Sequence, residues 1–217
     1  MYRAAHKFIM ARRGRPRNFD RDAVLRRALD VFWAKGFEGA SIADLTAAMK
    51  INSPSVYATF GSKEKLFREV VELYTVHGSE IWNALSQMPT ARQAVQAMLQ
   101  KTVEVYTQPG SPRGCLVSLS AIHCEAKAVR NFLCEKRRAS LDSLRRRLEQ
   151  AAKDGDLSPN ANVAYLSEFY RTVQQGLALR AREGVSRKEM LQTVHAAMSV
   201  WDTLVGANFP KSLDSRS

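Results

Sequence analysis

The chain has 217 residues, 45% of them hydrophobic and 25% charged, with a net charge of +12. That is a globular composition, enough for one generous core or for a small domain packed on a larger one, and it excludes a disordered chain. No apolar run approaches the roughly 18 residues of a membrane span, and no secretory leader is expected, because the first residues lack an apolar region of sufficient length.

The positive surplus favours a polyanionic partner, with nucleic acid first and an anionic membrane surface second. It is unevenly placed: residues 1–70 carry 14 Lys and Arg against 7 Asp and Glu. Residues 1–17 hold Arg3, Lys7, Arg12, Arg13, Arg15 and Arg17 with no acid. Taken alone, such a run is equally a solvated tail or an arm that follows DNA. Residues 1–9 read as an extension upstream of Met10, a second candidate start. Cys115, Cys124 and Cys134 form no C-x-x-C, and their odd count argues for a reducing, cytoplasmic setting. His6, His77, His123 and His195 are scattered, so neither a metal site nor a cofactor is expected.

The pattern is nearly all helix, without strand alternation. Asp20 is positioned to cap a first helix, with Phe19 and Val24 at the spacing of a hydrophobic staple, and Gly36 ends it. Val24, Ala28, Val31 and Phe32 mark its inner face. Ser41-Ile42-Ala43-Asp44 is a capping signature that opens a short helix with Ile42, Leu45 and Met49 inward. After the break Lys50-Ile51-Asn52, Ser53 caps a second short helix, and Pro54 sits where a missing amide costs nothing. Val56 and Phe60 point inward, which leaves Ser55, Tyr57, Ala58 and Thr59 outward. Gly61-Ser62 then starts a longer helix at Lys63. Further helices are expected at about 63–86, 90–107, 114–125, 127–153, 159–183 and 187–208.

Two short helices with a tight break, the second small and polar outside, form a helix-turn-helix pattern. The major groove admits one helix, and Ser53, Pro54, Ser55 and Ala58 let its backbone approach base edges. Tyr57, Thr59 and Lys63 reach phosphates or bases, the Ser41 cap can touch phosphate, and the arginine-rich arm can enter the minor groove.

The runs Lys35-Gly36-Phe37, Ala40 to Leu45, Ser53 to Tyr57 and Phe60 to Phe67 closely resemble the N-terminal domain of the TetR family of transcriptional regulators, over about 45 contiguous residues. The resemblance implies an all-α protein with a basic arm (1–17), a three-helix DNA-binding domain with the helix-turn-helix (18–62), and a helical ligand-binding and dimerisation domain (63–217). It implies a recognition helix at 53–59 with Ser53, Pro54, Ser55, Tyr57, Ala58 and Thr59 on DNA, Lys63 on phosphate, and Arg15 and Arg17 in the arm. The chain departs from the family at Lys50, where many members carry Gly. That position should have positive φ, which costs a non-glycine residue about 1 kcal/mol.

Past residue 70 the resemblance fades. Helices 159–183 and 187–208 have wide apolar faces; these are internal core or, as the family implies, a four-helix homodimer interface. A pocket for an unidentified small-molecule inducer is expected among helices from 63 to 183, with Trp82, Met98, Tyr106, His123, Phe132, Phe169 and Tyr170 as candidate lining and plain core as the alternative for each. His123 is either buried with a partner or partly exposed. Cys115, after Arg113-Gly114, should sit in a helix's first turn, where amides and the guanidinium favour thiolate. Gly114-Cys115-Leu116 also resembles a TetR subgroup whose members answer electrophiles or oxidants at such a cysteine; a small buried apolar residue is the alternative. Arg145-Arg146-Arg147 is either a solvated face or a second nucleic-acid patch.

An enzyme using Cys115 and His123 lacks an orienting acid and a defined geometry. A lipid-binding module has few aromatic anchors in its arm and leaves the 41–60 pattern unexplained. The expectation is therefore a regulator, not an enzyme and not at a membrane. It binds a palindromic double-stranded operator as a homodimer, represses, and is released by an inducer, with activation not excluded.

Overall fold

The computed structural model describes residues 20–120 and 124–206, the His77 side chain excepted. Among them all regular structure is helical: α1 (Arg21–Gly39), α2 (Ile42–Met49), α3 (Ser53–Phe60), α4 (Lys63–His77), α5 (Ser79–Gln87), α6 (Ala91–Tyr106), α7 (Leu116–Leu119), α8 (Lys127–Lys153), α9 (Val163–Arg182), α10 (Arg187–Ser199) and α11 (Trp201–Gly206). The all-α expectation holds. Arg15 and Arg17 of the arm, Phe19 of the staple and His123 lie outside the described residues. None of the described helices is long and apolar enough to cross a membrane.

Asp20 caps α1 by accepting from the amides of Asp22 and Ala23 at 3.0 and 3.2 Å. Gly36 breaks the helix with φ 73° and ψ 178°, but the chain resumes helical form through Gly39. That extra turn buries Phe37, whose ring meets Phe67 edge-on at 5.1 Å, while Phe32 meets Phe67 at 5.0 Å. The aromatic cluster fastens α1 to α4.

Three expected helices are shorter than their pattern. The run 63–86 divides at Gly78, which stands at φ −75° and ψ 1° and returns its amide to Tyr74 O. The run 114–125 contributes only the single turn α7 among the described residues. The run 187–208 divides at Val200 (φ −91°, ψ 6°), and Trp201 turns inward there to pack 5.4 Å from the Tyr170 ring. Burying that indole is worth more than one continued helical hydrogen bond.

One continuous apolar core runs from Val24 on α1 to Leu204 on α11. Within it α6 packs against α5, α9 and α10, α8 lies along α9, and α4 lies along α1. Helix α4 thus has one end beside α3 and the other inside the larger helical body.

Candidate nucleic-acid interface and adjoining cavity

Each short helix is fixed by its own side chains. Ser41 and Asp44 form a reciprocal capping box on α2: the Asp44 amide donates to Ser41 Oγ at 3.0 Å, and the Ser41 amide donates to Asp44 Oδ2 at 3.0 Å. Ser41 Oγ also donates to Asp44 Oδ2 at 2.7 Å, so a phosphate must compete for that hydroxyl. Lys35 Nζ sits 2.6 Å from Asp44 Oδ1, and this hydrogen bond, followed by those from Ser41, holds the Asp44 carboxyl far below the usual carboxylate range.

Among the described residues Lys50 alone of the non-glycines has positive φ (57°, ψ 38°), and its amide returns to Thr46 O. The expected left-handed turn is present, and Lys occupies it. The cap of α3 differs from expectation. Asn52 Oδ1 accepts from the Ser55 amide at 2.9 Å, so Asn52 is the cap and Ser53 the first helical residue. Asn is as good a cap as Ser, and the shift leaves Pro54 in the first turn, where its missing amide is harmless.

Val56 and Phe60 anchor α3 in the core, while Pro54, Tyr57 and Ala58 are exposed and Ser53, Ser55 and Thr59 half-buried. Tyr57 is 48% exposed, an unusual setting for an aromatic ring unless it has something to touch. Gly61 ends α3 with φ 81° and donates to Tyr57 O at 2.9 Å; Ser62 then caps α4 through the Lys65 amide. The Lys63 ammonium lies 4.6 Å from the Phe37 ring centroid, which holds the cation beside the start of α4. Arg21 stacks on Phe60 at 5.1 Å and pairs with Glu69 at 2.5 Å, so α1, α3 and α4 form one unit.

The far end of α4 enters a cavity of about 270 Å³. Tyr74, Thr75 and Gly78, Trp82 and Tyr106, and Cys115, Arg171 and Gln174 are among its lining residues, with residues of α8. From Lys63 to Tyr74 the helix rises roughly 16 Å, at 1.5 Å per residue. Trp33 of α1 packs edge-on against Tyr74 at 4.9 Å. Arg68 of α4 donates to Ala128 O at 2.9 Å, and Glu38 accepts from the amides of Glu125 and Ala126, so further bonds join the first helices to α8.

Cys115 is the N-cap of α7 and is buried. Burial pushes its thiol up, while the neighbouring Ser118, Tyr74 and Tyr106 favour the thiolate, and the net direction is down. The expected source of that lowering was different: Arg113 is engaged elsewhere, donating to Gly184 O at 3.3 Å and Val185 O at 2.6 Å. Burial in turn raises the Tyr74 and Tyr106 phenols well above their ordinary value, and a Cys115 thiolate beside them adds to it.

Residues 24–70 match the family profile "Bacterial regulatory proteins, tetR family". The HTH-type transcriptional repressor ComR of Escherichia coli (strain K12) is 30% identical over 200 residues, covering 89% of this chain and 94% of ComR. The chain belongs to the TetR family. A second TetR-family relative, the repressor BdcR of the same organism, is 30% identical over 199 residues, covering 88% of this chain and 94% of BdcR. Among solved structures, a cysteine mutant of the TetR-family regulator CifR, complexed with 26-bp double-strand operator DNA, is 45% identical with a TM-score of 0.83, covering 86% of this chain and 100% of that one. The protein is thus a DNA-binding transcriptional regulator and not an enzyme.

Of the expected pocket residues in this TetR-family chain, Trp82, Tyr106 and Cys115 line the cavity, and Phe169 and Tyr170 do not. Tyr170 is turned away from the cavity toward α10, where its hydroxyl donates to Ala197 O at 3.2 Å, and Phe169 packs edge-on against it at 5.0 Å. Met98 is fully buried in the core, and Phe132 lies under the cations of Arg68 and Lys136. Arg171 and Gln174 were not expected there. Their signal was legible: Ser167, Arg171, Gln174 and Ala178 recur at helical spacing on the buried face of α9. Arg147 is no free patch either, since it donates to the carbonyls of Met88 and Pro89 at 3.0 and 3.3 Å.

Proposed function

We propose that this regulator is a cytoplasmic repressor that binds a palindromic operator as a homodimer and leaves it when a small molecule occupies the cavity. Residues 18–62 form the DNA-binding unit behind the 1–17 arm, and residues 63–217 the ligand-binding and dimerisation domain. Ser53, Pro54, Ser55, Tyr57, Ala58 and Thr59 face the major groove, and Ser41 and Lys63 the backbone.

The observation that carries this reading is α4: one 15-residue helix with Lys63 at the DNA-facing end and Tyr74 in the cavity wall. A ligand that displaces Tyr74 tilts the helix that sets Lys63 and α3, and two such tilts change the spacing of paired recognition helices. The repressor names of ComR and BdcR and the operator DNA bound by CifR support it. Dimerisation is supported by apolar side chains left exposed on the last helices: Tyr165 and Leu179 on α9, Leu191 on α10 and Val200 after it. Gly176 on the same side has open space beyond its Cα, so a partner backbone can approach closely.

Cys115, a lowered thiol inside the cavity, serves as the sensor for an electrophile or oxidant. The test is binding of purified protein to DNA flanking its own gene, with and without small electrophiles and acids. Saturable binding, one dimer per site, lost on adding an effector, is expected. Absence of binding to any flanking fragment overturns the repressor reading. Release that persists unchanged in Cys115→Ser removes the cysteine from the mechanism and leaves the rest.

A further inference from the structure

The cavity contains a charge that none of the described residues neutralises. Arg171 of α9 is 6% exposed, yet among the described residues it pairs with no carboxylate. Its Nη1 donates to the neutral Gln174 Oε1 at 2.8 Å, and its Nε is buried with no hydrogen-bond partner. Gln174 is itself held: its Nε2 donates to Thr102 Oγ1 at 3.0 Å, and Thr102 Oγ1 donates to Met98 O at 2.8 Å. The guanidinium is therefore oriented by a relay anchored in α6, not left loose.

Among the described residues no Asp or Glu lines the cavity. The other cation there, Lys136, is already paired with Glu72 at 2.5 Å. Among the described residues Arg171 makes its hydrogen bond to Gln174 and none to the Cys115 sulfur. A buried, oriented, unpaired guanidinium is costly unless an anion completes it. The edge that carries Nε is the one that binds a carboxylate side-on through two parallel hydrogen bonds. A doubly charged phosphate would call for a second free cation, which Lys136 is not. The cavity lining also includes the apolar side chains of Ile81, Trp82 and Val117.

We propose that the cavity binds a small monocarboxylate with an apolar body, its carboxylate on Arg171 and its body against Trp82 and Ile81. The proposal rests on the reading of this cavity as the effector site and names the chemical class of the effector. A cavity of about 270 Å³ sits at the small end of ligand sites.

The test uses Cys115 as a reporter in the same cavity, on the full chain without DNA. Iodoacetate and iodoacetamide are added together in equal amounts, and the Cys115 peptide is quantified by mass spectrometry. In each reaction the thiolate displaces iodide to form a thioether; the reagents differ in carrying a carboxylate or a neutral amide. At Cys115 the carboxymethyl to carbamidomethyl ratio is expected to exceed that of N-acetylcysteine amide in the same tube by tenfold or more, and to fall at least fivefold in Arg171→Met. A ratio at or below the free thiol, a ratio unchanged in Arg171→Met, or no modification of Cys115 by either reagent overturns the proposal. If Arg171→Met does not fold, the wild type decides: hexanoate should slow Cys115 alkylation at least tenfold more than hexanamide at equal concentration, and equal or absent protection overturns it. A carboxylate preference without any effect on operator binding would count against the effector reading and leave the anion site standing.

Discussion

The indole N–H of Trp33 donates to the carbonyl of Gly114 at 3.1 Å. This bond joins α1, which packs under the helix-turn-helix, to the residue before Cys115. Gly114 also donates to Tyr106 O at 3.2 Å, and its φ of 87° is open to glycine but strained for other residues. A Cβ there would lie 2.6 Å from Ala178 O and 2.8 Å from Leu119 Cδ1. Gly114 is thus the point at which α1, α6 and α9 meet, one residue before the cavity-lining Cys115.

Gly114→Ala is accordingly expected to destabilise the protein by about 2–4 kcal/mol, from positive φ and from overpacking against a backbone oxygen that cannot swing aside. Urea denaturation checks it. Gly155, also at positive φ but with nothing within 4 Å of its Cβ position, supplies the contrast, where alanine should cost about 1 kcal/mol. Equal losses at the two positions would remove the packing argument.

Lys50→Gly should stabilise the protein by roughly 0.5–1 kcal/mol, because the left-handed turn at φ 57° no longer opposes a side chain. The glycine's greater freedom in the unfolded chain takes back part of the gain. A shift of the urea midpoint to higher denaturant with an unchanged slope is the expected result. If operator affinity falls at the same time with a shallower salt dependence, the Lys50 cation also meets phosphate.

Tyr57→Ala removes an exposed ring from α3 and leaves Val56 and Phe60 in the core, so its melting temperature should stay within a degree or two of wild type. Operator affinity should fall tenfold or more, which is about 1.4 kcal/mol. Lys63→Met should instead weaken binding to all DNA sequences and reduce the salt slope by about one. Fluorescence anisotropy over a salt series separates the two. Unchanged operator binding by Tyr57→Ala would remove α3 from the groove.

The DNA-facing half was legible in the sequence because its determinants are local. A cap and its acceptor lie three residues apart at Ser41 and Asp44, a positive φ falls where Lys50 replaces glycine, and Val56 and Phe60 are one turn apart. The misses there were single positions, as with Asn52 taking the cap expected of Ser53. The cavity was only partly legible because its walls come from α4, α5, α6, α7, α8 and α9, and pairing distant helices is not encoded in short-range spacing. Aromatic content pointed to Phe169 and Tyr170, which lie beside the correct helix face but one residue out of register. One step further along α9, a full hundred degrees around the axis, stands Arg171. A charged residue amid buried positions was the stronger signal, since burying a guanidinium needs a reason.

The capping box of α2 carries its own pH dependence. Asp44 is held below the usual carboxylate value, first by the Lys35 ammonium and then by the Ser41 hydroxyl and amide. A carboxyl depressed in the folded state contributes stability that is fully present above its unfolded value of about 3.9 and is lost as pH falls toward the folded one. Wild type should therefore melt above Asp44→Asn by a constant margin from pH 7 down to about pH 5, and the margin should shrink below about pH 4. Because the carboxamide of that variant would still accept from the Ser41 amide, the difference reports the charge rather than the cap geometry. Added salt should reduce the part owed to Lys35, which is half-exposed. A margin that stays constant to pH 2 would mean the carboxylate charge plays no part in holding α2 against α1, and that the two helices are joined by packing alone.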